Sequence, residues 1–474
     1  MNAKTNLRIL WCVPPTSSFS TITVMLVLAF GGLAHSATNT VTSLADGGAG
    51  SLRQVIADSP AGDSIVFGVT GTITLTSIEL AVDKDLTIIG PGTSALAISG
   101  VGRSRIFNIS ANVTAWISSL TVTNGGPDAT ASAPGIPGGA ILNYGALWVS
   151  NCVIAGNRSG IGGTNYADTG GAGGGIYNVG TLRLDNSTIS GNTTGAGGVS
   201  GSGESGGHGG GIWNGGTCTA NRCTFSSNGT GSGSPGASGQ HNGGGGGSGG
   251  SGGGIYNANG MALTNCTISD NACGSGGPGG GSAWFGGPGG GGGEGGGVCN
   301  VSSLVLIGCT IVHNRGGWGG SGGGGLYGSC GSGGPGGSGG GISSAGLLVL
   351  TNCTLAGNSG GNGGSSFPPA SGREGGCGGG IYMDWPTQAV VVACTIVSNT
   401  VGASGGGFSM GTPAPDGSGG GVYARGSGPL CCFLNDIVAL NVALNTGQGP
   451  DAYGAFNSLG HNLIGATNDS SGLP

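Results

Sequence analysis

From Gly138 onward the chain returns eight times to one phrase, two glycines, then Ala or Gly, then Ile or Val. The aliphatic anchors are Ile141, Ile176, Ile212, Ile255, Val298, Ile342, Ile381 and Val422, spaced 35, 36, 43, 43, 44, 39 and 41 residues apart. In the first six copies the eleventh residue after the anchor is Cys152, Ser187, Cys223, Cys266, Cys309 or Cys353; the seventh carries a two-residue insertion and reaches Cys394. Five residues later every one of these seven copies has Asn: Asn157, Asn192, Asn228, Asn271, Asn314, Asn358 and Asn399. All variation in length falls between that Asn and the next glycine pair. A fixed module joined by an elastic connector predicts a solenoid of stacked units.

Within the module the apolar residues alternate. Leu182 and Leu184 share one face, Asn186 makes a bend, and Ser187 and Ile189 share the next face. Five-residue pieces of period two, broken by Asn and Gly, are strands and tight corners. No segment has the helical period that a crossover helix needs. Successive modules therefore stack as parallel rungs ~4.8 Å apart, an all-β parallel β-helix. Stacking turns each conserved slot into a column. The corner Asn residues form an amide ladder, with the left-handed backbone that Asn tolerates. A second Asn set, Asn143, Asn178, Asn214, Asn257 and Asn300, lies two residues after the anchors. The six cysteines of the inner slot read as small buried side chains in a free-thiol ladder. Cys330, Cys377, Cys431 and Cys432 lie outside that slot and leave disulfide pairing open.

Residues 37–125 have ordinary composition and read as a cap with the first rungs. Strands are expected at Ser64–Phe67, Thr72–Leu75, Leu86–Ile89, Arg105–Ile109 and Ile117–Val122. Residues 51–57 place Leu52, Val55 and Ile56 on one helical face, a helix suited to covering the open end of a sheet. Residues 126–440 are the repeat β-helix and 441–474 a C-terminal segment. Residues 1–36 read as a signal peptide: Lys4 and Arg8, an apolar run from Ile22 to Leu33, and small residues at Ala34 and Ser36. That run is too short for a spanning helix of ~20 residues, so no membrane span is expected after cleavage, and the location is secreted, cell-surface or outer-membrane.

The segment VTSLADGGAGSLRQVIADSPAGDSIVF with ITLTSIELAVDKDLTIIGPG and RIFNI, within 41–124, resembles the N-terminal region of CSLREA-type, choice-of-anchor bacterial surface proteins. NSLGHNLIG at 457–465 is similar to the same family. Gly-Gly-Ala-Ile at 138–141 and the Phe225 to Asn228 pairing resemble the repeats of polymorphic outer membrane proteins. The resemblance implies a right-handed parallel β-helix of the pectin-lyase-like kind, exported to the cell surface, of roughly eleven rungs. The chain stops at Pro474 with no anchor, sorting signal or translocator barrel after the family-like motif, from which a truncated reading frame is expected.

Composition excludes several function classes. Of 474 residues 120 are Gly, clustered rather than at every third position as collagen requires, and twelve Lys and Arg with a net charge of −6 leave no basic footprint for nucleic acid. Acidic residues within 138–430 fall about one to a rung, Asp168 and Glu204 eight before their anchors, Glu374 and Asp384 ten apart. That is not the carboxylate constellation a glycosidase needs. His208 in Gly-His-Gly has no accompanying Asp pair. No catalytic, cofactor-binding or metal-ligating residue is assigned. The residues that could bind are those following the anchors: Tyr177, Trp213, Tyr256, Tyr382 and Tyr423, an outward aromatic stripe. It either offers ring faces to sugars, is covered by the connectors, or stacks on itself. The connectors, nearly pure Gly and Ser, either lie side by side as extended polyglycine strands or behave as disordered linkers. The leading expectation is an exported, non-catalytic surface protein of adhesive or structural role, with an extracellular polysaccharide or cell-surface component as partner. The alternative is a polysaccharide lyase or glycoside hydrolase.

Overall fold

Each repeat folds into three short strands separated by turns. In the second repeat they are Ile176–Asn178, Thr181–Asp185 and Thr188–Ser190. The computed structural model describes residues 36–127, 135–163, 168–199, 201–368, 370–384, 387–407, 414–426, 431–467 and 469–473. The signal-peptide expectation lies outside the described residues apart from Ser36. Equivalent strands pair in parallel from rung to rung, so three sheets of 13, 12 and 12 strands wrap one core. We call them the first sheet (beginning Thr38–Val41), the second (beginning Gly71–Thr74) and the third (beginning Leu80–Val82). The architecture is a right-handed parallel β-helix.

Register is strict. Ile176 pairs with Ile212, Ile212 with Ile255 and Ile255 with Val298. Leu182, Leu184 and Ile189 point inward and are fully buried, as are their counterparts along the stack. Parallel pairing with identical spacing forces like side chains over like, so each inward slot becomes an apolar column without side-chain rearrangement.

The corners differ from the expectation in one respect. The left-handed backbone falls on the residues before the ladder positions: Asn186 (φ 46°) before Ser187 and Gly191 (φ 61°) before Asn192. The turn is thus completed one residue early. Asn192 and its equivalents keep an ordinary backbone and turn their amides into the interior.

At the N-terminal end, Leu52–Asp58 is a helix with Ser51 as N-cap, its Oγ accepting the Gln54 N–H at 3.2 Å. Leu52 and Ile56 are buried against the end of the core. Strands Thr38–Val41, Leu80–Val82 and Leu96–Ser99 were not expected, and the run Ile117–Val122 divides at Ser119 (φ 57°) into Thr114–Ser118 and Thr121–Thr123. Three- and four-residue strands carry too few alternations to stand out from sequence.

The connectors are ordered. In the one after Asn271, Gly277 and Gly280 donate to Gly247 and Gly244 O of the preceding connector, both at 2.8 Å. Gly276 and Gly279 donate to Trp318 and Ser321 O of the next, again at 2.8 Å. The returning arm closes on its own outgoing arm through Gly287 N to Gly280 O, Gly290 N to Gly277 O and Gly293 N to Gly274 O. A bond every third residue is the period of a polyproline II helix, which has no internal hydrogen bonds and must find partners sideways. This connector is thus a hairpin of two such arms, and the described parts of its two neighbours stack on it to form a two-layer array. The third residue of each triplet, Ser275 or Pro278, faces out and uses only its carbonyl, which accepts from Gly233 or Gly236. Proline is therefore admissible there.

Candidate functional site

The residue after each anchor does point away from the core, and strand register puts nine of them in one column on the third sheet: Leu142, Tyr177, Trp213, Tyr256, Cys299, Ser343, Tyr382, Tyr423 and Tyr453. Tyr453 extends the stripe beyond the residues identified from sequence. The stripe is not an open platform. Tyr177 and Trp213 stack at 4.3 Å and 4°, Tyr382 and Tyr423 at 5.4 Å and 16°, Tyr423 and Tyr453 at 5.0 Å and 7°. These in-register pairs cover each other's faces, whereas Tyr256, the register neighbour of Trp213, stacks on His208. Tyr177, Trp213, Tyr256, Tyr423 and Tyr453 are half-buried, and Leu142, Cys299, Ser343 and Tyr382 are buried. Within a stack only ring edges and hydroxyls reach solvent.

Two small residues, Cys299 and Ser343, both themselves buried, interrupt the rings of the column between Tyr256 and Tyr382, and we call this break the notch. Polar groups from neighbouring elements converge on it. Glu294, the last outward residue of its connector arm, accepts the Ser343 Oγ–H at 3.0 Å. Burial raises the Glu294 pKa; the Ser343 bond lowers it, the nearby Asp384 carboxylate raises it further, and Arg425 opposes that. Arg425 Nη1 lies 3.4 Å from Asp384 Oδ1. Burial pushes the Tyr382 hydroxyl upward, helped by Asp384 and Glu294. On the other side His208 stacks on Tyr256 at 4.8 Å, its Nδ1 accepting the Ser251 N–H at 2.9 Å, and burial lowers its pKa. The notch thus consists of two small buried residues between flanking aromatic rings, with Glu294 bonded to Ser343 and the exposed Asp384–Arg425 pair beside it.

Sequence reasoning identified Tyr177, Trp213, Tyr256, Tyr382 and Tyr423 and missed Glu294, Ser343 and Arg425. Glu294 and Asp384 are 90 residues apart along the chain. Only the register of the stack brings them to one place. A signal was available: Val298 and Ile342 are two consecutive anchors followed by small residues, Cys299 and Ser343, and Glu294 is four residues before the first of those anchors.

The interior columns occupy the corners. Asn157, Asn192, Asn228, Asn271, Asn314, Asn358 and Asn399 each donate Nδ2 to the Oδ1 of the next rung at 2.8–3.0 Å, and Asn441 continues the line to Asp451 Oδ1 at 2.9 Å. The second set runs from Asn143 through Asn178, Asn214, Asn257 and Asn300 to Ser344 Oγ. Cys152, Cys223, Cys266, Cys309, Cys353 and Cys394 are buried free thiols. At the end of their column Asp436 Oδ1 accepts the Cys394 N–H at 2.7 Å. Among the described residues no group of three or more His, Cys, Asp or Glu side chains is placed to hold a metal ion.

No protein-family model matches the chain, and no curated protein matches it. Solved structures to which it is similar include the pectate lyase Pel9A (11% identity, 93% of this chain and 79% of that one, TM-score 0.27). Another is the A-module of mannuronan C-5 epimerase AlgE6 from Azotobacter vinelandii (10%, 92% and 100%, TM-score 0.30). A third is a mannuronic acid-specific polysaccharide family 6 lyase from human gut microbiota (9%, 90% and 87%, TM-score 0.32). The architecture itself rests on the strand pairings above.

Proposed function

We propose that the chain is an exported β-helix protein of the cell surface or its surroundings, adhesive or structural in role, that binds an extracellular polysaccharide at the notch between Tyr256 and Tyr382. The observation that carries this reading is the interrupted column. Where stacking continues, ring faces are occupied by their neighbours. At the notch the stacks end, and hydrogen-bonding groups of both signs stand beside them, the combination of an apolar platform and a few placed polar groups that sugar recognition uses. Affinity electrophoresis of the whole chain through gels containing pectin, alginate or a neutral glucan tests it. Retardation by at least one polymer, lost in Tyr256→Ala, is the expected result; mobility unchanged in all of them overturns the reading.

A second reading, a polysaccharide lyase or glycoside hydrolase, is favoured by one specific feature. Glu294 holds its proton to higher pH than an ordinary carboxyl and lies beside Asp384 and Arg425. A carboxyl whose pKa burial raises, next to a second carboxylate, is the composition that acid–base cleavage of a glycosidic bond requires. New reducing or unsaturated ends released from a polymer, and abolished by Glu294→Gln, would establish catalysis.

A further inference from the structure

The connectors end in tips that the polysaccharide reading does not use. At the tips of three successive hairpins the backbones are held in line by parallel bridges, Gly239 with Ser282, Ser282 with Gly325, and Asn242 with Phe285. Phe285 N donates to His241 O at 3.0 Å and Tyr327 N to Ala283 O at 2.8 Å. This fixed backbone carries large apolar side chains in the open. Trp284 and Phe285 are about half exposed, Leu326 is 82% and Tyr327 75% exposed, and Phe367 in the following connector is 59% exposed. Trp284 and Tyr327 rings lie 5.8 Å apart. A soluble chain rarely gathers such residues on its outermost loops without a partner.

The surrounding charge says what partner fits. No Asp, Glu, Lys or Arg occurs between Asp270 and Glu294, or between Arg315 and Arg373. The arms behind the tips are mostly Gly, Ser and Pro, with Trp318 half exposed among them, and their backbones are largely paired. The crest can therefore enter an apolar medium without stripping water from any charge. Its composition is that of an interfacial anchor, Leu and Phe for the acyl region, Trp and Tyr for the headgroup level. A sugar polymer would make no use of the most exposed residue, Leu326. With a net charge of −6 on the whole chain and no cation at the crest, an anionic surface has nothing to attract.

We propose that the connector tips around Trp284, Phe285, Leu326 and Tyr327 form a lipid-interface anchor that seats the protein on an uncharged or zwitterionic bilayer surface. The test is co-flotation of the full chain with phosphatidylcholine vesicles, at low and high salt, beside vesicles containing phosphatidylglycerol. The expected result is partition onto phosphatidylcholine vesicles that salt leaves unchanged and anionic lipid does not strengthen. The double variant Leu326→Ser with Tyr327→Ser should reduce partition at least tenfold while melting like the parent, since both side chains are exposed. No flotation, or flotation that the double variant retains, overturns the proposal. So does a crest that proves to join two copies, seen as a dimer in sedimentation that the double variant dissolves with no lipid binding by the parent. Binding of polysaccharide at the notch is read separately and is unaffected by either outcome.

Discussion

At the scale of single residues the fold depends on buried polar groups whose partners are all supplied by repetition. Asn271 Oδ1 accepts both the N–H and the Nδ2–H of Asn228, while its own Nδ2 donates to Asn314 Oδ1 and Phe225 O. Removing one member strands donors and acceptors on both neighbours, each costing about 1–3 kcal/mol when buried. Asn271→Ala should therefore destabilise the chain by about 2–4 kcal/mol, read as a lower urea midpoint. Asp436 gives a different kind of dependence. Burial raises its pKa to about 6, against opposing bonds from the Cys394 and Leu434 N–H groups. The folded chain thus holds a proton that the unfolded chain, with an ordinary value of 3.8, releases. Stability grows as pH falls from above 6 toward 4, by about 1–2 kcal/mol between pH 8 and pH 5. Asp436→Asn should flatten that part of the profile in denaturant titrations at the two pH values. Asp46 acts in the opposite sense and only in stronger acid. Burial raises it, but bonds from Ser77, Arg53 and Thr76 outweigh burial and hold it at about 2, so its contribution is lost as pH falls from 4 toward 2.

At the scale of elements the strands were legible where five-residue alternation was present and illegible where strands are three residues long. The anchor phrase disclosed the third sheet only because it repeats. The connectors were the least legible element, since Gly/Ser composition fits both a linker and an array. What decides between them is a period of three that hydrogen bonding reveals and the residues only partly show, because Gly fills the outward position as well as the inward ones. Two substitutions separate these positions. A Cβ on Gly277 would stand 2.0 Å from Ser234 O, whereas one on Gly281 meets nothing closer than Gly324 O at 3.6 Å. Gly277→Ala should open its hairpin and increase local hydrogen exchange more than tenfold, and Gly281→Ala should leave exchange unchanged. Equal behaviour of the two variants would contradict the ordered array.

At the scale of the whole molecule the same stacking that makes the core also makes the site. Each repeat contributes one side chain to the outer column of the third sheet, so the identity of one residue per repeat decides whether the ring stack continues or is broken. The stripe could be read from sequence because its members share a position after the anchor. The notch could not, because Glu294, Ser343, Asp384 and Arg425 belong to different repeats, and their meeting depends on register and on the path of an ordered connector. Filling the gap is therefore the most direct test. Ser343→Tyr places in the column the residue that stands at the same register position in the next two rungs, Tyr382 and Tyr423, and removes the Ser343 bond to Glu294. Measured by titration calorimetry with an oligosaccharide of the polymer that retards the parent, this variant should keep the parent's β-sheet circular dichroism and lose at least tenfold in affinity. Undiminished affinity in a folded Ser343→Tyr protein would contradict the notch as the binding site.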